Sequence, residues 1–288
     1  IAAAATGLPI FLEKPVAVTM EEAVELETAF LKSKSEVVVS FPLRASPLGQ
    51  RVKGLLEQGE IGMPEHVMAF NYVPYGDVYF DSWYRDVSIT GGLFLQKATH
   101  DLDYLAFCLR SPIVKVAAMK SVGRVYKDSK FSDGDRMNHS FHEGIGDPQS
   151  GMNEDAASIL LEFANGAKGL YTQVFYSKRG AAARGATFSG FRGTLRFDWF
   201  TNQAEVIHHQ APFEDTFKVD SGLHHHGGDG VLAENFVHVV EGKASSISSI
   251  WHGLQSVHAC LAAKESAETE QFCSVRQLSV NKNAESRL

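Results

Sequence analysis

The chain has 288 residues, 44% of them hydrophobic, with 27 Lys and Arg against 34 Asp and Glu and a formal net charge of −7. That is enough apolar sequence for one or two globular domains with cores of their own. The mild acidity offers no attraction to nucleic acid or to an anionic membrane. The longest apolar runs, 36–43 and 230–240, fall well short of the roughly 20 residues of a spanning helix.

In chain order, the Ala run 1–6 stopped by Gly7 reads as the last turn of a helix with its C-terminal cap. It has no basic flank and no cleavage-like site, so it does not read as a signal peptide. Residues 8–12 form a short apolar strand. Thr19-Met20-Glu21-Glu22 then opens an amphipathic helix to about residue 34 with a capping-box pattern, and 36–41 is a second buried strand. Helix, strand, helix, strand is the rhythm of a parallel sheet, so the chain is expected to begin inside a doubly wound domain. Next come a helix at 46–58, a turn at 59–62, a strand at 65–72 and a helix at 97–109 introduced by Gly91-Gly92.

From residue 112 strands follow one another without helices: 114–126, 156–163, 169–176, 187–189, 194–200 and 204–208. That succession predicts a large, mainly antiparallel sheet. Helices at 230–241 and 250–266 close the pattern, and 127–149 reads as a surface loop. The expected fold class is α/β: residues 1–43 are the tail of a dinucleotide-type domain, and 44–288 form an α+β domain. Cys108, Cys260 and Cys273 are odd in number, widely spaced and without a CxxC, which suits thiols of a reducing compartment and a cytoplasmic location.

Two segments could carry chemistry. Glu13-Lys14-Pro15 ends the strand 8–12, at the carboxyl edge where open α/β sheets bind ligands. A lysine there can donate to a substrate oxygen, although three residues alone are equally compatible with a surface lysine. In the helix after Gly91-Gly92, Lys97, His100 and Tyr104 share a face at i, i+3 and i+7, with Gln96 four residues before His100. His suits proton transfer near neutral pH, and a neighbouring ammonium favours its uncharged form. By composition alone, a capping His beside a solvated Asp pair is the commoner arrangement.

Together these segments resemble the glucose-fructose oxidoreductase / inositol dehydrogenase (Gfo/Idh/MocA) family. Phe11-Leu12-Glu13-Lys14-Pro15 is similar to its EKP signature, Ser40-Phe41-Pro42-Leu43-Arg44 to its strand-to-Arg passage and Gly59-Glu60-Ile61-Gly62 to its G-x-I-G turn. The stretch from Gly91-Gly92 to His100-Asp101-Leu102-Asp103 is similar to its catalytic helix. Gly193-Thr194-Leu195 and His226-Gly227-Gly228-Asp229 continue the order.

The resemblance implies a Rossmann domain joined to an α+β domain whose open sheet face serves homo-oligomer contacts. It implies NAD or NADP as cofactor and a carbohydrate or polyol as substrate. Lys14 would bridge nicotinamide and substrate, Glu13, Pro15 and Arg44 would border the cofactor, and His100 would move the hydroxyl proton. Gln96 and Lys97 would face the substrate, with Lys97 taking part of the role of the Asp that inositol dehydrogenases carry where this chain has Gln96. Apart from the resemblance, the stacking faces of Trp83 and Tyr84 suit a sugar ring in the substrate cleft, and equally suit an ordinary half-buried aromatic. No GxGxxG occurs in the sequence, so the chain is expected to lack the loop that binds the dinucleotide phosphates, and to be a fragment.

His224-His225-His226 with His208-His209 suggests a metal, but consecutive residues cannot all point one way, so no metal is expected. A substrate-side loop with Asp229 capping the next helix is favoured. Besides a dehydrogenase, the sequence leaves open a glycoside-processing enzyme with transient redox and a non-catalytic binding or oligomerisation module.

Overall fold

The computed structural model describes residues 1–81, 83–125, 153–211, 214–220 and 225–279. The expected loop 127–149, the end of the strand drawn to Tyr126, and His224 lie outside these residues.

The opening is a parallel pair. Strand β1 (Ile10–Leu12) is joined to β2 (Val37–Val39) through helix α1 (Met20–Leu31), and the strands align in parallel with Ile10 opposite Val37. Helix α1 starts as its sequence dictates: Thr19 accepts from Glu22 N while the Glu22 carboxylate receives Thr19 N, the reciprocal capping box. A short helix α2 (Pro42–Ala45) leads into α3 (Pro47–Glu57), where Ser46 caps Gly49 N and also receives Trp199 Nε1.

Strand β3 (Pro64–Tyr72) is followed by two one-turn helices, α4 (Val78–Asp81) and α5 (Val87–Thr90), then by a π-helical segment, Phe94–Ala98, that runs into α6 (Thr99–Leu109). The expected helix 97–109 therefore begins in a π turn. Among the described residues six strands follow without an intervening α-helix: β4 (Ile113–Val122), β5 (Glu154–Phe163), β6 (Lys168–Val174), β7 (Ala183–Gly190), β8 (Gly193–Asp198) and β9 (Gln203–His208). Then come β10 (Glu214–Lys218), helices α7 (Gly228–Val240) and α8 (Ile250–Thr269), and β11 (Cys273–Ser274). Strands β10 and β11 are absent from the sequence reading because each is short, and β10 lacks the alternation of a half-buried strand.

Among the described residues, β3 to β11 form a nine-stranded sheet in the order β10-β9-β8-β7-β3-β6-β5-β4-β11. Every pairing is antiparallel except β3 with β6. Helices cover one face. The other exposes Met68, Leu160 and Met119. Helix α8 is buried along most of its length, and its Leu254, Val257 and Ala263 join one apolar cluster that runs from Val37 and Val39 to sheet residues Ile159 and Phe188. Each fully buried Leu or Val contributes roughly 1.5–3 kcal/mol, so α8 ties the parallel pair to the large sheet.

Candidate active site

The site is assembled from three directions. Lys14 leaves the carboxyl end of β1, in a Lys14-Pro15 peptide that is cis, and its ammonium donates to the Gln96 carbonyl at 3.0 Å. That bond joins β1 to the π-helical segment across 82 residues of chain. Gly91 and Gly92 turn the chain into this segment with φ of 74° and 94°, left-handed values that favour glycine. A Cβ on Gly91 would also lie 2.4 Å from the Leu95 side chain. The buried Glu154 carboxylate receives Leu93 N at 2.7 Å, which pins the start of the segment. π turns are frequent at functional sites because they widen the helix and re-aim side chains.

Two titratable side chains, Lys97 of this segment and His100 of the first turn of α6, point into one neighbourhood. The Lys97 ammonium lies 5.1 Å and 4.8 Å from the ring centres of Tyr75 and Tyr79. Burial, with Arg184 nearby, lowers its pKa to about 7. The His100 imidazole is buried against the edge of Phe41, and its Nδ1 has no partner among the described residues. Burial first, then Lys14, Arg184 and Lys97, push its pKa well below the ordinary range, so it is uncharged at neutral pH. Lys14 is likewise lowered to about 7, by burial and then by Lys97. Lys97 thus makes Lys14 and His100 harder to protonate, and Lys14 adds to the effect on His100.

The floor of the site comes from the sheet. Register places Gln173 of β6, Asn71 of β3 and Arg184 of β7 side by side in a row across three strands. Asp101 of α6 lies against this row. It accepts from Arg184 Nε and Nη2 at 2.9 Å each, from Tyr171 Oη at 2.9 Å and from Asn71 Nδ2 at 3.1 Å. Four donors saturate the carboxylate, and both ions are buried.

A third contribution comes from the turn before α7. His225 and His226 both have positive φ, at 40° and 56°, a conformation costly for residues with a Cβ and found more often at functional sites. The His225 ring lies 6.2 Å from His100, centre to centre, and its Nδ1 pairs with the Asp229 carboxylate at 2.9 Å. Asp229 is thus not the cap expected from the sequence. Gly227 holds that position, without a side-chain cap, and Asp229 sits inside the first turn, facing back to His225. Among the described residues no group of three His, Cys, Asp or Glu side chains could hold a metal.

The sequence candidates divide accordingly. Lys14, Lys97 and His100 are brought together, with Pro15 half-buried and Glu13 exposed beside Lys14. Gln96 contributes its carbonyl to Lys14, while its amide donates to Thr90 O at 3.0 Å and does not orient His100. Trp83 is half-exposed and stacks on Tyr84 at 4.0 Å; Tyr84 meets the edge of Tyr79, whose face carries Lys97. Arg44 is held elsewhere, in a buried two-bond pair with Asp103 at 2.6 Å and 2.9 Å. Tyr104 also stands apart: its hydroxyl donates to Gly185 O and its ring packs on Trp199.

Sequence reasoning missed Tyr75, Tyr79, Arg184 and the special place of His225. The density of Tyr between residues 72 and 84 is a signal that could have pointed to the first two. Nothing local marks Arg184, because strand register alone carries it to Asp101.

Comparison with known proteins defines the class. The GFO/IDH/MocA C-terminal domain model matches residues 50–196, a little over half of the chain. The chain belongs to the GFO/IDH/MocA family. The uncharacterized oxidoreductase YrbE of Bacillus subtilis is 30% identical over 158 residues, covering 55% of this chain and 39% of that protein. The scyllo-inositol 2-dehydrogenase (NAD(+)) of the same organism is 27% identical over 213 residues, covering 70% of this chain and 53% of that protein. The chain thus spans about half or less of these relatives' length. A levoglucosan dehydrogenase, solved in complex with NADH and L-sorbose, superposes with a TM-score of 0.78 over 97% of this chain and 76% of that one, at 22% identity, which establishes a shared fold.

The residues present fit the nicotinamide end of a dinucleotide: a parallel strand pair with Lys14 and Pro15 at its carboxyl edge, beside an uncharged histidine. A GxGxxG loop for the phosphates is not part of this sequence.

Proposed function

We propose that this chain belongs to an NAD(P)-dependent oxidoreductase that transfers hydride between a nicotinamide and a CH–OH carbon of a sugar, polyol or related hydroxy compound. The observation that carries the proposal is the convergence of Lys14 from β1 with Lys97 and His100 from the π-helical segment and α6, all with lowered proton affinity. The kinship with dehydrogenases of inositol and levoglucosan supports the substrate class. Residues 1–43 form the cofactor-side portion and 44–288 the substrate-side portion, with Glu13 and Pro15 bordering the nicotinamide.

Hydride acceptance, or donation in the reverse direction, is the chemistry a bound nicotinamide would supply. His100 takes the hydroxyl proton at a ring nitrogen, since burial keeps the imidazole uncharged and Nδ1 has no partner among the described residues. Lys14, anchored by one N–H to the Gln96 carbonyl, has two N–H bonds left for the substrate oxygen, where its charge stabilises a developing alkoxide. Tyr75, Tyr79, Tyr84 and Trp83 form the aromatic wall against which a sugar ring can stack. The exposed Met68, Met119 and Leu160 on the open sheet face serve contact with a second copy.

The test is titration of NAD⁺ and NADP⁺ into the protein expressed from the complete reading frame, followed by a polyol and sugar screen read by nicotinamide absorbance. Binding of one dinucleotide with turnover of a hydroxy compound is the expected result. Failure to bind either dinucleotide overturns the proposal.

A further inference from the structure

The charges of the site do not balance. Three cations, Lys14, Lys97 and Arg184, act on its interior, and the buried carboxylate among them is Asp101. Asp101 is already saturated by Arg184, Tyr171 and Asn71, so it has no acceptor left to offer, although its charge still favours the protonated forms of Lys14 and Lys97. Lys14 has the Gln96 carbonyl as acceptor and Glu13 beside it. Lys97 has Asp101 within reach of its charge but no such acceptor: among the described residues its ammonium meets two aromatic faces and no hydrogen-bonding oxygen.

Aromatic faces attract a cation more weakly than a charge-assisted hydrogen bond does, and a half-buried cation without a hydrogen-bonded counter-ion is under-satisfied. A neutral hydroxyl could accept from Lys97 but would bring no opposite charge. A second donor in the site also lacks an acceptor among the described residues: Gln173 Nε2 is buried and unpartnered there, on the sheet row shared with Asn71 and Arg184.

We infer that the substrate of this site carries a carboxylate, bound by Lys97 within the Tyr75 and Tyr79 cage, and that the substrate class is the sugar acids, uronates or aldonates. The inference rests on the oxidoreductase reading above, which puts the reacting carbon at Lys14 and His100. It adds a second recognition point, distinct from the reacting hydroxyl.

The experiment compares D-glucuronate, D-galacturonate and D-gluconate with D-glucose, D-galactose and D-glucitol in the full-reading-frame protein. Calorimetric binding without dinucleotide and kcat/KM with it are both measured. At least one acid is expected to exceed its neutral counterpart about tenfold or more in both, as one charge-assisted hydrogen bond provides. Lys97→Met abolishes that advantage and Lys97→Arg keeps part of it. Equal or better binding of the neutral compounds, no binding of any acid, or an acid advantage that survives Lys97→Met overturns the inference. If Lys97→Met does not fold, the acid-to-neutral ratio of the unaltered protein decides. Turnover of neutral sugars without acid preference removes this inference and leaves the oxidoreductase reading intact. Lys97-dependent acid binding with no dinucleotide turnover does the reverse.

Discussion

Helix α6 carries two aspartates two residues apart, and each meets a buried arginine from elsewhere in the chain. Asp103 takes Arg44 from α2 through two bonds, and Asp101 takes Arg184 from β7 through two bonds. The chemistry is the same and the consequences differ. Arg44 is closed in by Asp103, by the Ile247 carbonyl at 3.2 Å and by the face of Phe107, and it borders a cleft of about 600 Å³ lined by Pro112, Ile113 and Ala259. Its field reaches Asp103 and the inert thiol of Cys108. Arg184 lowers the proton affinity of Lys14, Lys97, His100 and His226. One ion pair fastens two helices together. The other also sets the electrostatics of the candidate site.

The contrast can be broken most forcefully at the residue the Asp101 side serves. His100→Ala is expected to lower kcat/KM by about 10²–10⁴-fold, the loss of a positioned acid/base, while the melting temperature changes little by comparison. A loss within about threefold would remove His100 from the chemistry.

The two arginines come next. Breaking a buried pair by removing one partner costs roughly 3–5 kcal/mol, so Arg44→Met and Arg184→Met should destabilise comparably in denaturant titrations. Their activities should part company. In whatever fraction remains folded, Arg184→Met changes kcat/KM and its pH profile, and Arg44→Met leaves the pH profile as it was. Parallel shifts in the two variants would erase the distinction.

A smaller effect sharpens the electrostatic side. Lys97 has a folded pKa of about 7 against an ordinary 10.5. Between those values the unfolded chain holds a proton that the folded chain does not, so this residue makes stability rise with pH across that window. Its burden is fully present below about pH 7 and gone above about 10.5. Lys97→Met should therefore melt above the wild type by the widest margin near pH 6, with the margin closing as pH rises. A constant margin would mean that Lys97 is not desolvated as the structure has it.

The smallest change lies outside both pairs. Thr19→Ala, which removes the α1 capping box, should cost about 1 kcal/mol and leave kcat/KM and its pH profile unaltered.

How much of this was legible in advance depends on how far apart the partners lie in the chain. Thr19 and Glu22 are one helical turn apart, so their pattern states its own geometry, and the structure has the reciprocal cap where the sequence placed it. The same holds for the short parallel strands around α1 and for Gly91-Gly92, whose positive φ values suit a turn into a helix. The motifs around Lys14 and His100 were also legible, because each is a local string that resembles a known family.

The rest was not local. β3 was readable as a strand but not as the centre of the sheet, parallel to β6 and antiparallel to β7, since pairing partners lie more than 90 residues away. The π turn was hidden because its composition is that of an ordinary helix, and only packing between Glu154, Lys14 and Tyr79 selects it. By itself, then, the sequence determined the capping box of α1, the alternating strands, the family resemblance and the candidacy of Lys14, Lys97 and His100. Tertiary structure alone decided that Arg184 meets Asp101, that Lys97 faces two tyrosines with no hydrogen-bond acceptor among the described residues, and that Arg44 is enclosed by Asp103. A residue's propensity is written in its neighbours along the chain, whereas its charge environment is written by side chains that strand register and helix packing bring to it from afar.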